Sequence, residues 1–183
     1  MTTSKHLPQQ IEGNRITLRR FTMADAEPFY KFLREDDNVR YMFFTDNQRT
    51  KDGAIGLVKW VTGTYDTDDP ACILVIADKS TGDYVGHIGA ATLKDSTDTE
   101  IFYTLLPQHR GKGYMNEAVK TFLGYLFEEG IHTAVAIIVP DNTASIKVME
   151  RLHAQFAGDF EIHGQPGLRY EITRAIFERW GSG

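Results

Sequence analysis

The run Glu100-Ile101-Phe102-Tyr103-Thr104-Leu105-Leu106-Pro107-Gln108-His109-Arg110-Gly111-Lys112-Gly113-Tyr114-Met115-Asn116-Glu117-Ala118-Val119, continuing to Glu129, reads as a strand, a tight basic loop and a long helix. Ile101, Phe102, Tyr103, Leu105 and Leu106 form a short apolar and aromatic run that Pro107 stops. Met115, Ala118, Val119, Phe122 and Leu126 recur at helical spacing and predict one buried stripe, ended by Gly130.

Between them lie Gln108, His109, Arg110, Gly111, Lys112 and Gly113. Two glycines let the backbone turn tightly and come close to a ligand. The first amides of the following helix have no helical acceptor, and the helix dipole favours an anion there. Arg110 and Lys112 add positive charge, and a guanidinium can grip phosphate through two bonds. The reading is a pyrophosphate cradle; the bland alternative is a glycine turn with a solvated basic rim. It is not a Walker loop, because Gly113 follows Lys112 where Ser or Thr is required and no earlier glycine has the right spacing. It is not a dinucleotide fingerprint, because position 116 is Asn and no strand–helix–strand repeat is visible.

The remaining pattern, Gln108-His109-Arg110-Gly111-Lys112-Gly113-Tyr114, closely resembles the acetyl-CoA loop of the GNAT superfamily of N-acetyltransferases. The tail Gly111 to Ala118 resembles the branch of the ribosomal-protein N-terminal acetyltransferases, the RimJ/RimL type. The resemblance implies the acyl-CoA N-acyltransferase fold: an α/β (α+β) chain with a central mixed, mostly antiparallel sheet of six to seven strands and about four helices. It covers residues 15–177 and is most specific over residues 100–156.

Composition agrees with a globular chain. A length of 183 residues suits one domain, with a core over about residues 14–178. A net charge of −5 argues against a nucleic-acid partner, and a basic loop in an acidic chain points to a small anionic ligand. The single Cys72 excludes a disulfide framework and sits in an apolar strand, where it reads as buried rather than nucleophilic. No stretch has the length of a membrane span, and residues 1–10 lack an apolar signal core, so a cytoplasmic location is expected. The histidines, His87, His109, His132, His153 and His163 among them, lack metal-ligand spacing, and no metal is expected.

Taken in order, residues 15–21 alternate as a first strand, and Ile16-Thr17-Leu18-Arg19 fits the opening pattern of the family. Thr22 and Asp25 have capping-box spacing before a helix through Leu33, which Asp36-Asp37-Asn38 breaks. Tyr41, Met42, Phe43 and Phe44 cluster outside any periodic element. They are either a local apolar plug or, as the resemblance implies for Tyr41, Phe43 and Phe44, a wall of the acceptor pocket. Thr50 predicts the cap of a second helix, weakened by Gly53 and Gly56. Residues 71–77, 84–93 and 101–106 form an antiparallel meander, with Gly86 and Gly89 marking a bulge or a close neighbour. Residues 133–139 follow in strand–helix–strand order and should run parallel to residues 101–106. A short helix over residues 142–152, with Asp141 or Asn142 as its cap, and a hairpin of residues 154–162 and 167–176 close the chain. Where relatives carry Leu-Gly-Phe, this chain has Leu152-His153-Ala154, which implies a different turn there.

Acetyl transfer to an amine needs a held thioester, a base for the ammonium, a donor for the oxyanion and a proton for the departing thiolate. The resemblance assigns acetyl-CoA as co-substrate, held at its pyrophosphate by Gln108, His109, Arg110, Gly111, Lys112, Gly113, Tyr114 and Met115. It assigns the pantetheine arm to Tyr103, Leu105 and Leu106, pairing as a pseudo-strand where the central strand is bulged and splays from its parallel neighbour. A backbone N–H near Leu105 is the expected oxyanion donor. Glu100 is the candidate base; a solvated carboxylate is the alternative, and Asp95 or Asp98 could serve instead. Asn142 and Ser145 match the family motif Asn-x-x-Ser, which implies a cofactor contact for Asn142 and an acid role for Ser145; a bare cap and a surface residue are the alternatives. The acceptor amine stays open between a protein N-terminus and a small molecule, such as an amino acid, an antibiotic or a polyamine. The acidic segments 66–69 and 95–100 would either attract a cation or be solvated loops. The rival reading is a non-catalytic acyl-CoA-binding module. Monomer and homodimer are both compatible with the sequence, and no membrane partner is expected.

Overall fold

The computed structural model describes residues 7–93, 96–162 and 164–181, so Asp95 and His163, both named above, lie outside the described residues. The chain opens with β1 (Gln10–Glu12) and β2 (Ile16–Arg19), joined through a turn in which Gly13 N–H donates to Ile16 C=O over 2.9 Å. A 3-10 turn leads into α1 (Ala26–Leu33), followed by α2 (Asp36–Val39) and α3 (Lys51–Thr64). The meander is β3 (Cys72–Asp78), β4 (Tyr84–Thr92) and β5 (Thr99–Leu105). Then come α4 (Tyr114–Glu128), β6 (Thr133–Ile138), α5 (Thr143–Arg151), β7 (Gln155–Ile162), β8 (Gln165–Thr173) and α6 (Arg174–Glu178).

The strands form one sheet in the order β1-β2-β3-β4-β5-β6-β8-β7, antiparallel except at β5–β6. This is the expected mixed α/β architecture, with more elements than the six to seven strands and four helices anticipated. β1 was missed because its three residues carry polar Gln10 and Glu12. α2 forms from the very Asp36-Asp37-Asn38 read as a breaker, with both aspartates in its first turn, where the helix dipole favours them. The last expected strand stops at Thr173, whose hydroxyl accepts from Ile176 N–H and starts α6 instead.

The Thr22–Asp25 capping box is present, and Asp25 has a second task. Its buried carboxylate takes two bonds of 2.8 Å from Arg19, tying β2 to the start of α1. Burial alone would raise the Asp25 carboxyl; the bonds from Arg19 and Thr22 outweigh it and hold the group below the usual carboxylate range.

α4 supplies the most continuous apolar stripe. Met115, Ala118, Val119, Phe122, Leu123, Leu126 and Phe127 are buried, and the helix packs across β1, β2, β4 and β5. The predicted glycine features of β4 both occur. Residue pairing with β3 slips between Ile76 and Ala77, which makes a bulge beside Gly86. A Cβ at Gly86 would lie 2.1 Å from Thr104 O, and one at Gly89 would lie 2.5 Å from Phe102 Cζ. The β4–β5 ladder itself runs without a shift, so the bulge expected in the central strand lies on β4 rather than β5.

The turn after α5 corrects another expectation. His153 occupies φ 52, the left-handed conformation that glycine suits best. His153 N–H reaches Glu150 O and Ala154 N–H reaches Met149 O, both over 2.9 Å, the pattern of a Schellman end. The geometry usual for Leu-Gly-Phe is therefore kept without the glycine.

Candidate active site

The sheet opens at one place. β5 and β6 pair only at Thr99↔Ala134 and Glu100↔Val135, whereas β6 pairs with β8 over its full length. Beyond Glu100 the two parallel strands separate. Leu106 N–H donates to Val85 O on the β4 side over 2.9 Å. Alternation along the strand therefore turns the backbone groups of Leu105 to the side that β6 has left. This leaves Leu105 N–H facing the opening rather than β4.

A cavity of about 820 Å³ runs through this opening, within the usual size of a small-molecule site. It is lined by Glu100, Tyr103, Leu105, Arg110, Gly111, Gly113, Met115, Asn142 and Ser145, and also by Tyr41, Phe43 and Phe44. Leu106, Gln108, His109, Lys112 and Tyr114 are not in its wall; Gln108 and Lys112 are exposed beside the loop.

The glycine loop has the conformation its sequence requires. Gly111 and Gly113 adopt φ 73 and φ 81, and a Cβ at Gly111 would meet nothing within 4 Å. Gly113 is the N-cap of α4, and no side chain caps that end, so the leading amides stay open to a ligand. Glu117, one turn into α4, accepts from Arg15 N (2.6 Å), Ile16 N (3.2 Å) and Arg15 Nε (2.9 Å). The Arg15 guanidinium also donates to Lys112 O over 3.0 Å and lies 5.0 Å from the centre of the Tyr114 ring. Tyr114 Oη donates to Asp78 Oδ2 over 3.0 Å. These contacts fix the loop against β2 and β3, and sequence reading missed them because their partners lie far away along the chain.

Arg110 behaves differently from expectation. Its Nε donates to Leu105 O (3.1 Å) and its Nη2 to Asn38 Oδ1 (3.0 Å), so it ties the loop to α2. A two-bond grip on phosphate requires these bonds to be exchanged.

Cross-strand pairing places Glu100, Phe102 and Thr104 opposite Ala91, Gly89 and His87, on one face of β5. Phe102 fills the space that Gly89 leaves by having no side chain. Burial pushes the Glu100 carboxyl above its ordinary value, the direction a base near neutral pH needs. The alternative carboxylate Asp98 is engaged elsewhere: it accepts from Ser96 Oγ and Arg169 Nη2 at 2.8 and 2.9 Å, which hold it below the usual range. His87 is buried against the rings of Phe29 and Phe32, with Tyr84 Oη 2.7 Å from its Nδ1. Burial lowers it to about 3, so it is neutral and acts as packing.

Tyr103 lies on the opposite face of β5. Its hydroxyl is sealed from solvent without a hydrogen-bond partner, and Ser145 is its polar neighbour. A buried hydroxyl left unmatched is costly and marks a place where a ligand group completes the bonding. Asn142 is a true helix cap, since its Oδ1 accepts from Ser145 N over 3.2 Å. That bond sets Ser145 on the first turn of α5, facing the opening. Across the cavity Tyr41 Oη donates to Asp141 O over 3.1 Å, joining the segment after α2 to the loop before α5. The sequence did not single out Trp60, Phe102 or Asp37 as wall residues. Strict alternation along β5 would have placed Phe102 beside Glu100; Trp60 and Asp37 gave no local signal. Among the described residues no three His, Cys, Asp or Glu side chains converge as a metal site would require.

Comparison with known proteins agrees with this fold. A family profile described as an acetyltransferase (GNAT) domain matches residues 15–155. The uncharacterized N-acetyltransferase p20 of Bacillus licheniformis is 28% identical over 149 residues, covering 79% of this chain and 81% of that protein. The crystal structure of a GNAT-family acetyltransferase from Bacillus anthracis superposes with a TM-score of 0.76 at 25% identity, over 90% of this chain and 98% of that one. Mycobacterium smegmatis RimJ, solved in complex with CoA-disulfide, shares the fold at a TM-score of 0.76 and 18% identity, over 96% and 94% of the two chains.

Proposed function

This chain belongs to the GNAT acetyltransferase domain family, and from that premise we propose that it moves an acetyl group from acetyl-CoA directly to a primary amine while both are bound. The observation that carries the reading is the early end of β5–β6 pairing, set in front of an uncapped, glycine-rich helix start. The residues suit such a donor. The open amides at Gly113 and the room at Gly111 suit a pyrophosphate. The freed edge of β5 suits the amide groups of a pantetheine arm, and the unmatched Tyr103 hydroxyl offers it one more bond.

In this reading the Glu100 carboxylate takes a proton from the acceptor ammonium, directly or through one water. The amine nitrogen then bonds to the thioester carbon, with Leu105 N–H donating to the oxygen as it gains charge. The carbon–sulfur bond breaks, Ser145 Oγ passes a proton to the departing thiolate and regains one from the nitrogen that becomes the amide, leaving free coenzyme A, an amide and the first proton on Glu100. Asn142 holds Ser145 in place through its cap. The test is thiol release from acetyl-CoA against a panel of amines. Glu100→Gln and Ser145→Ala should slow turnover and spare acetyl-CoA affinity. A protein that binds acetyl-CoA and releases no thiol with any amine would instead be an acyl-CoA-binding module.

A further inference from the structure

The two ends of the cavity have different walls, and the end facing Glu100 is aromatic. Tyr41, Phe43, Phe44, Trp60 and Phe102 line it. Among the described residues four large apolar side chains are exposed, and two of them, Phe43 at 48% and Trp60 at 57%, stand on this wall. Exposed rings grouped on a concave surface mark a binding site for an apolar group. Leu57 and Val61 of α3 add aliphatic side chains to the cavity wall.

Charge argues in the same direction. The carboxylates in the wall are Asp37 and Glu100, against Arg110, Lys147 and Arg151. A polycation entering this cavity meets more positive than negative side chains. Among the described carboxylates of the two acidic segments, only Glu100 lines the cavity. Asp66 is paired with Arg20 at 2.8 Å, Asp98 with Arg169 at 2.9 Å, and neither lines the cavity. Glu100 offers a single ammonium a carboxylate partner on the same face of β5 as the Phe102 ring.

We propose that the acceptor is a primary amine carried on an aromatic or apolar body, gripped by the Tyr41–Phe44 segment, Trp60 and Phe102, and that polycationic amines are poor acceptors. This rests on the acetyl-transfer reading above. The test measures thiol release from acetyl-CoA with tryptamine, phenethylamine, ethylamine and spermidine, for the unaltered chain and for Trp60→Ala and Phe43→Ala. The expected result is a kcat/KM for tryptamine and phenethylamine about tenfold or more above that for spermidine and ethylamine. Each substitution should raise the tryptamine KM by about five- to tenfold and leave acetyl-CoA affinity unchanged. A spermidine kcat/KM equal to or above that of tryptamine overturns this inference and leaves acetyl transfer standing. No release with any amine overturns acetyl transfer, and this inference with it.

Discussion

In the proposed reading, the donor end of the cavity is built from backbone and the acceptor end from side chains. At the donor end the working groups are amides: the freed edge of β5 and the start of α4 beyond Gly111 and Gly113. At the acceptor end they are rings brought together from the segment after α2, from α3 and from β5. A backbone site needs particular local conformations, and those leave marks such as glycine at positive φ, a proline stop and a helix start. A side-chain site needs only that distant segments meet, and leaves little local trace. Substitutions at one end should therefore leave the other untouched.

Glu100 stands where the two ends meet, and its removal carries the largest expected effect. Glu100→Gln should lower kcat by about a hundredfold or more with acetyl-CoA affinity unchanged. The unaltered enzyme should gain rate with rising pH along a limb whose midpoint lies above the 4.5 of an ordinary glutamate, and the variant should lose that limb. The same raised value has a consequence for stability. A carboxyl raised in the fold favours folding at low pH, and that contribution is lost as pH rises through the folded value. Glu100→Gln should therefore unfold at a higher temperature than the unaltered chain near pH 7, and the gap should close below pH 4.5. Melting curves at several pH values read this directly.

Gly111→Ala probes the donor end alone. No protein atom lies near the added methyl group, so any clash is with the ligand. Acetyl-CoA affinity should fall about tenfold, and folding stability by only about 1–2 kcal/mol for the positive φ. Amine KM at saturating acetyl-CoA should not move. Gly89→Ala probes the acceptor end, because its Cβ would displace the Phe102 ring; it would also press on Cys72 O of β3, 2.9 Å away, so its melting temperature is measured beside its kinetics. Acceptor KM should rise about three- to fivefold, while calorimetry with acetyl-CoA is unchanged. Loss of acetyl-CoA affinity in that variant would show that the two ends are not separable.

His153→Gly lies outside both ends and should have the smallest effect. Replacing a residue at φ 52 with glycine should stabilise the chain by about 1 kcal/mol, with steady-state kinetics unaltered. Chemical denaturation measures it.

The same division explains what the sequence could tell. The strand, loop and helix over residues 100–129 were legible because Pro107, Gly111, Gly113 and the Met115–Leu126 stripe each have a local physical reason. The Thr22, Thr50 and Asn142 starts were legible for the same reason. The tether of Arg110 to Asn38 spans 72 positions and that of Glu117 to Arg15 spans 102, and no local pattern encodes either. His153 shows the converse. The missing glycine implied a different turn, but buried Leu152 and Met149 hold the end of α5 in place, and packing overrides the local preference of one residue.

The central claim is that the diphosphate of the donor rests on the bare amides at the start of α4. Titration calorimetry with acetyl-CoA and with acetyl-pantetheine, which lacks the diphosphate and nucleotide, tests it most directly. Acetyl-CoA should bind about a hundredfold more tightly, the scale of two charge-assisted bonds to backbone amides, and Gly111→Ala should narrow that gap. Equal affinity for the two, or no heat with acetyl-CoA, would contradict it.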